Sequence, residues 1–179
     1  MIHITELEIY CSVGTEGKEN VGSKAVVRNI SKVLRGQPAK TLVVTDSYYS
    51  SAALSLTLLE LGFYHVGTVR SNWKGWCREI QYTQNKKPLN KPRGQYRIVQ
   101  AKVYSELAAL SWMDSRPVNM LSTGCSTEPT VVNRREENGS ITVSPCPHEV
   151  VDYANGMGFY DQLRLHHYLI QNCINLTKY

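Results

Sequence analysis

The alternation of helix and strand patterns in the first 70 residues most constrains what this chain can fold into. Residues 23–34 carry apolar side chains at helical spacing, and residues 42–44 form a short apolar run typical of a strand covered on both faces. A second apolar helix pattern then runs from Ser50, the predicted N-cap, to Gly62, and residues 63–69 are rich in aromatic and β-branched side chains. This order predicts an α/β layer whose neighbouring parallel strands are joined by helices.

Asp46 ends the apolar strand pattern, directly before the second predicted helix. A carboxylate at the end of a buried strand is a common way to hold a divalent metal ion rigidly at the edge of a sheet. An aspartate in this position also forms turns or helix caps without any metal. Asp46 is therefore the first candidate for chemistry, with a purely structural turn as its alternative.

Composition narrows the class of protein only modestly. With 179 residues and 42% hydrophobic content, the chain is long enough for one folded unit with a real core. A net charge of +5 tilts it toward polyanions, but only slightly. The five cysteines are scattered and form no C-x-x-C pair, which favours reduced thiols over a disulfide framework or a zinc site. Without a signal-peptide pattern or a long apolar run, we expect an intracellular protein that is not secreted and has no membrane partner.

The segment from Arg70 to Arg97 is basic and aromatic. It holds eight Lys and Arg residues against the single acid Glu79, with two tryptophans and two tyrosines interleaved. Such a stretch is typical of a surface that contacts a phosphate backbone. A solvated loop with tryptophans packed on the domain edge explains the same composition, and both interpretations stay open.

The second half of the chain is rich in strand patterns. Residues 95–123 contain three strand-like pieces that predict an antiparallel meander, which residues 130–144 continue through an Asn-Gly turn at Asn138. Helical patterns return at His148, and residues 159–174 place apolar side chains on about one face.

Three blocks of the sequence resemble piggyBac-type transposases. Residues 43–75 read VVTDSYYSSAALSLTLLELGFYHVGTVRSNWKG and resemble the block in which the second metal-binding aspartate ends a strand, before a helix and a G-T-V-R-S-N motif. The later pieces LSWMDSRPVNMLSTG and CPHEVVDYANGMGFYDQLRLHHY are similar to later blocks of that family, in the same order. The resemblance covers almost the whole chain.

The resemblance implies an α/β fold with an RNase H-like core, whose three aspartates bind two Mg²⁺ ions, and a β-rich insertion between the second and third aspartates. On this basis residues 1–70 form the first part of the core, residues 71–147 the insertion and residues 148–179 the C-terminal helical part. Family members also carry segments before and after this core that are missing here, so the resemblance predicts a truncated core. DNA as partner and a nuclear location are implied in the same way.

Matching the three family aspartates one by one predicts an incomplete set of metal ligands. Asp46 matches the second aspartate, but Ser12 stands at the first position, and a neutral hydroxyl is a poor bridging ligand for Mg²⁺. The third block is a few residues short, so Asp161 matches a non-catalytic aspartate better than the third ligand. Asp46 and Asp161 remain the candidate catalytic and metal-binding residues, with Asp161 either a substitute ligand or a surface residue of its helix.

Three functional hypotheses follow from these residues. The first is a transposase-derived domain with impaired catalysis that still binds DNA through basic side chains of the insertion, namely Arg70, Lys74, Arg78, Lys86, Lys87 and Arg93. The second is an interaction module that binds neither metal nor DNA. The third is an active metal-dependent nuclease or strand-transferase that combines Asp46 with a substitute carboxylate, either Asp161 or Glu16.

Overall fold

The computed structural model describes residues 21–33, 38, 40–73, 75–83, 93–135 and 138–158. Its helices are α1 (Val21–Val33), α2 (Ala52–Glu60) and α3 (residues 148–158), with a short 3-10 turn at Arg78–Ile80. Its strands are β1 (Leu42–Thr45), β2 (Tyr64–Val69), β3 (Tyr96–Gln100), β4 (Leu107–Met113), β5 (Pro117–Thr123), β6 (Pro129–Arg135) and β7 (Ile141–Pro147). None of the described helices is long and apolar enough to cross a bilayer.

Strands β1 and β2 confirm the predicted parallel unit. They pair in parallel, with Thr45 opposite Gly67, and α2 connects them. They form one side of a five-stranded mixed sheet with the order β1-β2-β5-β4-β3. The three remaining strand pairs of this sheet are antiparallel. Asp46 therefore lies just beyond the carboxyl end of an outer strand of the described sheet.

The predicted meander is confirmed for β3, β4 and β5, and it shares a sheet with β1 and β2. Strand β5 pairs with β2 so that Ser122 lies opposite Val66. The prediction that residues 130–144 continue the meander is wrong: β6 and β7 pair with each other in a separate two-stranded sheet. The RNase H-like arrangement and the boundaries at residues 70 and 147 remain predictions.

The five-stranded sheet is covered on both faces. Because side chains alternate along a strand, Val66 and Met120 point to one face, where Cys146 of β7 and Val150 of α3 complete a buried cluster with Leu110 and Trp112. On the opposite face Val69 and Leu121 pack with Trp76 and Ile80, which belong to the segment around the 3-10 turn.

The ends of α2 explain why a helix starts and stops there. Ser51, not the predicted Ser50, is the N-cap, and its hydroxyl accepts a hydrogen bond from the Leu54 N–H at 3.1 Å. The sequence offers two adjacent serines, and Ser50 is buried in a different set of hydrogen bonds. Gly62 has a φ of +85° and its N–H bonds to the Leu59 carbonyl at 2.9 Å, which confirms the predicted glycine stop.

Candidate functional site

Asp46 lies in a tight turn between β1 and α2, with its side chain exposed. Its carboxylate Oδ1 accepts a hydrogen bond from the Tyr48 N–H at 2.9 Å. Its backbone carbonyl accepts from the N–H groups of Tyr49 at 3.2 Å and Ser50 at 3.0 Å. This is the turn aspartate that the sequence left open as an alternative. Because the Asp46 side chain is exposed, a cation can approach its carboxylate from solvent.

A buried polar network supports this turn from below. The Ser50 hydroxyl donates to the Asp46 carbonyl at 2.8 Å and lies 2.6 Å from the Thr45 hydroxyl. The Thr45 hydroxyl in turn lies 2.8 Å from Nε2 of His65, whose Nδ1 lies 2.8 Å from the Ser55 hydroxyl. The network therefore ties β1, the turn, α2 and β2 together around the backbone of Asp46.

His65 is held neutral inside this network. Burial lowers the pKa of its imidazole to about 4, because a charged ring loses its hydration there. A neutral imidazole has one donor and one acceptor nitrogen, and each nitrogen has a hydroxyl partner here. Gly67 makes room for the network, since a Cβ at this position would collide with the Ser50 hydroxyl and lie 2.7 Å from the Thr45 hydroxyl.

The described residues do not by themselves fit the pair of Mg²⁺ ions that the resemblance implies. Within the described ranges, no three side chains of His, Cys, Asp and Glu are grouped so that they could hold a metal ion. Asp46 contributes one carboxylate, whereas a divalent ion of this kind needs several oxygen ligands. Ser12, Glu16 and Asp161 lie outside the described residues.

Helix α3 runs across the sheet toward the strand that precedes Asp46. Near its start the Glu149 carboxylate accepts a hydrogen bond from Ser122 of β5 at 2.6 Å. Further along, the Tyr153 hydroxyl lies 3.3 Å from the Thr68 hydroxyl of β2. Gly156 then packs so closely on Val44 of β1 that a Cβ on the glycine would lie 2.6 Å from a Val44 methyl group.

Glu149 is a buried acid that sequence reasoning missed. It is fully buried, and its Oε2 has no hydrogen-bond partner in the described part of the chain. Burial raises the pKa of Glu149, the Ser122 hydrogen bond opposes that rise, and the charge of Asp152 adds to it. Burial, with Asp152 and Glu149 nearby, also raises the pKa of Cys125 to about 12. Helical spacing was the sequence signal that could have identified Glu149, because it lies on the same core-facing side of α3 as the residues one helical turn later.

In the described part of the basic stretch, some basic side chains are exposed and one lies beside a carboxylate. Arg70 and Arg78 are exposed, whereas Arg93 is half-buried with its Nε 3.9 Å from the Asp114 carboxylate. Trp76 is buried in the core beside the 3-10 turn, in agreement with the packed-tryptophan interpretation. Lys74, Lys86 and Lys87 lie outside the described residues, so the structure describes only Arg70, Arg78 and Arg93 of the predicted set.

Comparison with known proteins places these features in a family. A family model described as Transposase IS4 matches residues 3–178, which is nearly the whole chain. The fold is similar to that of piggyBac transposase in a cryo-EM structure of its synaptic complex with hairpin DNA, with a TM-score of 0.61 and 21% sequence identity. That similarity covers 88% of this chain and 30% of the piggyBac transposase chain. No curated protein matches the chain.

The match over almost all residues agrees with the transposase blocks found in the sequence, and the mixed sheet agrees with the structural similarity. DDE-type chemistry in this family implies a divalent metal ion, without indicating which one. The chain thus belongs to the Transposase IS4 family and has a fold similar to that of piggyBac transposase.

Proposed function

We propose that the chain is a transposase-derived domain that contacts DNA and whose strand-transfer chemistry is impaired. The observation that carries this proposal concerns the described residues alone: Asp46 lies exposed after the end of β1, and among these residues no three potential metal ligands are grouped. Ser12 at the predicted first aspartate position supports the same conclusion, because a hydroxyl does not supply the anionic oxygen that a two-metal site needs.

One observation favours the active alternative as a second candidate. Gly156 packs on Val44, only two residues before Asp46, and Asp161 follows Gly156 by five residues in the sequence. Five extended residues span at most about 18 Å. The covalent chain therefore permits Asp161 to serve as a substitute ligand near Asp46, and this candidate requires divalent-metal-dependent DNA cleavage that Asp46→Asn abolishes.

Contact with DNA is supported by charge and by fold. Residues 70–97 carry a strong excess of basic side chains, and Arg70 and Arg78 are exposed on the described surface. The structure with the similar fold is a complex of a transposase with hairpin DNA. We assign the contact to Arg70, Lys74, Arg78, Lys86, Lys87 and Arg93, which attract phosphates whatever the base sequence. A nuclear location follows from the same proposal and is tested by imaging the tagged chain.

The test is fluorescence anisotropy with a labelled DNA hairpin between about 50 and 200 mM salt. The logarithm of the binding constant should fall linearly with the logarithm of salt concentration, with a slope of about −0.9 for each phosphate contacted. The double variant Arg70→Gln/Arg78→Gln should have a slope shallower by about 2.

The matched control is Lys102→Gln, which removes one exposed positive charge from the β3-β4 connection and should keep the parent slope. A folded parent that does not bind DNA, or whose binding ignores salt, would contradict the proposal. That outcome would favour the interaction-module hypothesis instead.

A further inference from the structure

Arg97 of β3 is held in a fixed orientation on the surface. Its guanidinium carbon lies 4.5 Å from the centroid of the Tyr82 ring, and its Nη1 donates a hydrogen bond to the Gln81 carbonyl at 3.2 Å. A cation stacked on an aromatic face is attracted by the negative face of the ring. Together the two contacts limit the rotamers of a long side chain that is otherwise exposed.

These contacts leave most of the guanidinium available. Arg has five N–H donors, and the Gln81 carbonyl takes one of them. Among the described residues, no carboxylate lies within ion-pair distance of Arg97, in contrast to Arg93, which faces Asp114. Arg97 therefore combines a preset orientation with donors that are open to an anion.

Strand register places Arg97 at the same level of the sheet as Val69, the last residue of β2. Arg97 lies opposite Ser111 of β4, Ser111 lies opposite Asn119 of β5, and Asn119 lies opposite Val69, the residue before Arg70. Three strand spacings amount to about 14 Å.

The 3-10 turn that carries Arg78 immediately precedes the Gln81 and Tyr82 contacts of Arg97. Among the described residues between 70 and 97, Glu79 is the one acidic side chain, against the basic side chains of Arg70, Arg78, Arg93 and Arg97. Burial raises the pKa of Tyr82, although the Arg97 charge acts in the opposite direction, so the ring is an uncharged phenol at neutral pH.

We propose that Arg97, oriented by Tyr82 and Gln81, binds a DNA phosphate in addition to the phosphate contacts proposed for Arg70 and Arg78. The planar guanidinium matches two phosphate oxygens at once, and a side chain already held in place loses less rotamer freedom on binding. This inference rests on the proposed DNA contact and adds to it a residue outside the set assigned from sequence, together with the aromatic ring that orients it.

The experiment compares Arg97→Gln, Arg97→Lys and Tyr82→Leu with the parent in the salt series on the same DNA hairpin. Arg97→Gln should lower the affinity and make the salt slope shallower by about 0.9, because one phosphate contact is lost. Arg97→Lys and Tyr82→Leu keep the charge, so they should keep the parent slope and lower the affinity only through the lost orientation. Lys102 follows the carboxyl end of β3, so Lys102→Gln should match the parent in affinity and in salt slope. Circular dichroism checks that each variant is folded.

Three results overturn the inference. If Arg97→Gln keeps the parent affinity and slope while Arg70→Gln/Arg78→Gln reduces the slope, Arg97 is not a phosphate contact and the proposed function stands. If the folded parent does not bind the hairpin at all, both proposals fail together. An equal loss in Arg97→Gln and Lys102→Gln would also overturn it, since net charge alone would then explain the effect.

Discussion

His65 and Glu149 are two buried ionisable side chains whose neutral forms are favoured by burial in the fold. His65 has a hydroxyl partner for each ring nitrogen, so its neutral form is satisfied. Glu149 has a partner for Oε1 only, and its buried Oε2 has none among the described residues. Burial dominates the pKa shift of both groups, and in each case it opposes the charged form. Each residue therefore makes the stability of the fold depend on pH. His65 lowers stability as pH falls, and Glu149 lowers it as pH rises.

The His65→Gln variant tests the first link. The folded pKa of about 4 lies below the ordinary value of 6.5, so the unfolded chain takes up the proton first and stability falls as pH drops from 6.5 toward 4. The full effect is about 3 kcal/mol. Urea unfolding at several pH values should show the parent losing stability relative to His65→Gln over this window. A constant difference between the two proteins across the window would refute the buried neutral histidine.

Glu149→Gln tests the second link. The pKa of Glu149 is raised above its ordinary value of 4.5, so its contribution is fully present below that value and is lost as pH rises through the folded pKa. Glutamine stays neutral and can still accept the Ser122 hydrogen bond through its amide oxygen. Urea midpoints measured from pH 4 to 9 should therefore show the variant gaining on the parent as pH rises. If it falls behind instead, the parent carboxylate is stabilised by charge and the account of Glu149 is wrong.

At the residue scale, sequence predicted the features that depend on neighbours in the chain. Asp46 at a strand end and Gly62 at a helix stop follow from local pattern, and both are where the sequence placed them. The partners of His65 come from two other elements, and the single partner of Glu149 comes from β5, so no local pattern reveals them. These side chains meet through the register of the sheet and through the packing of α2 and α3 on it.

At the scale of elements, the packing of α3 on β1 depends on a glycine. A Cβ at Gly156 would lie 2.6 Å from a Val44 methyl group, whereas a Cβ at Gly158 would meet nothing within 4 Å. Gly156→Ala should therefore destabilise the fold by about 1–3 kcal/mol through overpacking. Gly158→Ala is the matched control in the same helix and should be neutral or slightly stabilising. Equal urea midpoints for the two variants would show that α3 does not press on β1.

The elements and the pairing of strands that follow one another in β1-β2 and in the meander were predictable, but the joining of these two groups into one sheet was not. Periodicity located α2, the parallel pair β1 and β2, and the strands of the meander. The pairing of β5 with β2 joins residues far apart in sequence, and nothing in either strand specifies that partner. The separate pairing of β6 and β7 was missed for the same reason, because a hairpin pattern does not state which sheet it joins.

At the scale of the whole molecule, family membership supports the metal-site part of the proposed function, and the basic charge supports the DNA contact. The family match places the chain among transposases, and we propose that Asp46, in its exposed turn, derives from a metal-binding carboxylate. We propose that basic side chains after the end of β2 and at the start of β3, Arg70 and Arg97, supply a surface for DNA. Loss of the metal site therefore need not remove DNA binding, and the two properties can be measured independently.

The most direct test of the central claim is a calorimetric titration of the folded chain with Mn²⁺, beside Asp46→Asn. Asparagine can still accept the Tyr48 hydrogen bond that closes the turn, so the variant removes the charge while keeping the local structure. If the two-metal centre is lost, the parent and Asp46→Asn should give the same heats, with no site that depends on Asp46. A stoichiometric Mn²⁺ site in the parent that disappears in Asp46→Asn would contradict the account and identify a working metal centre.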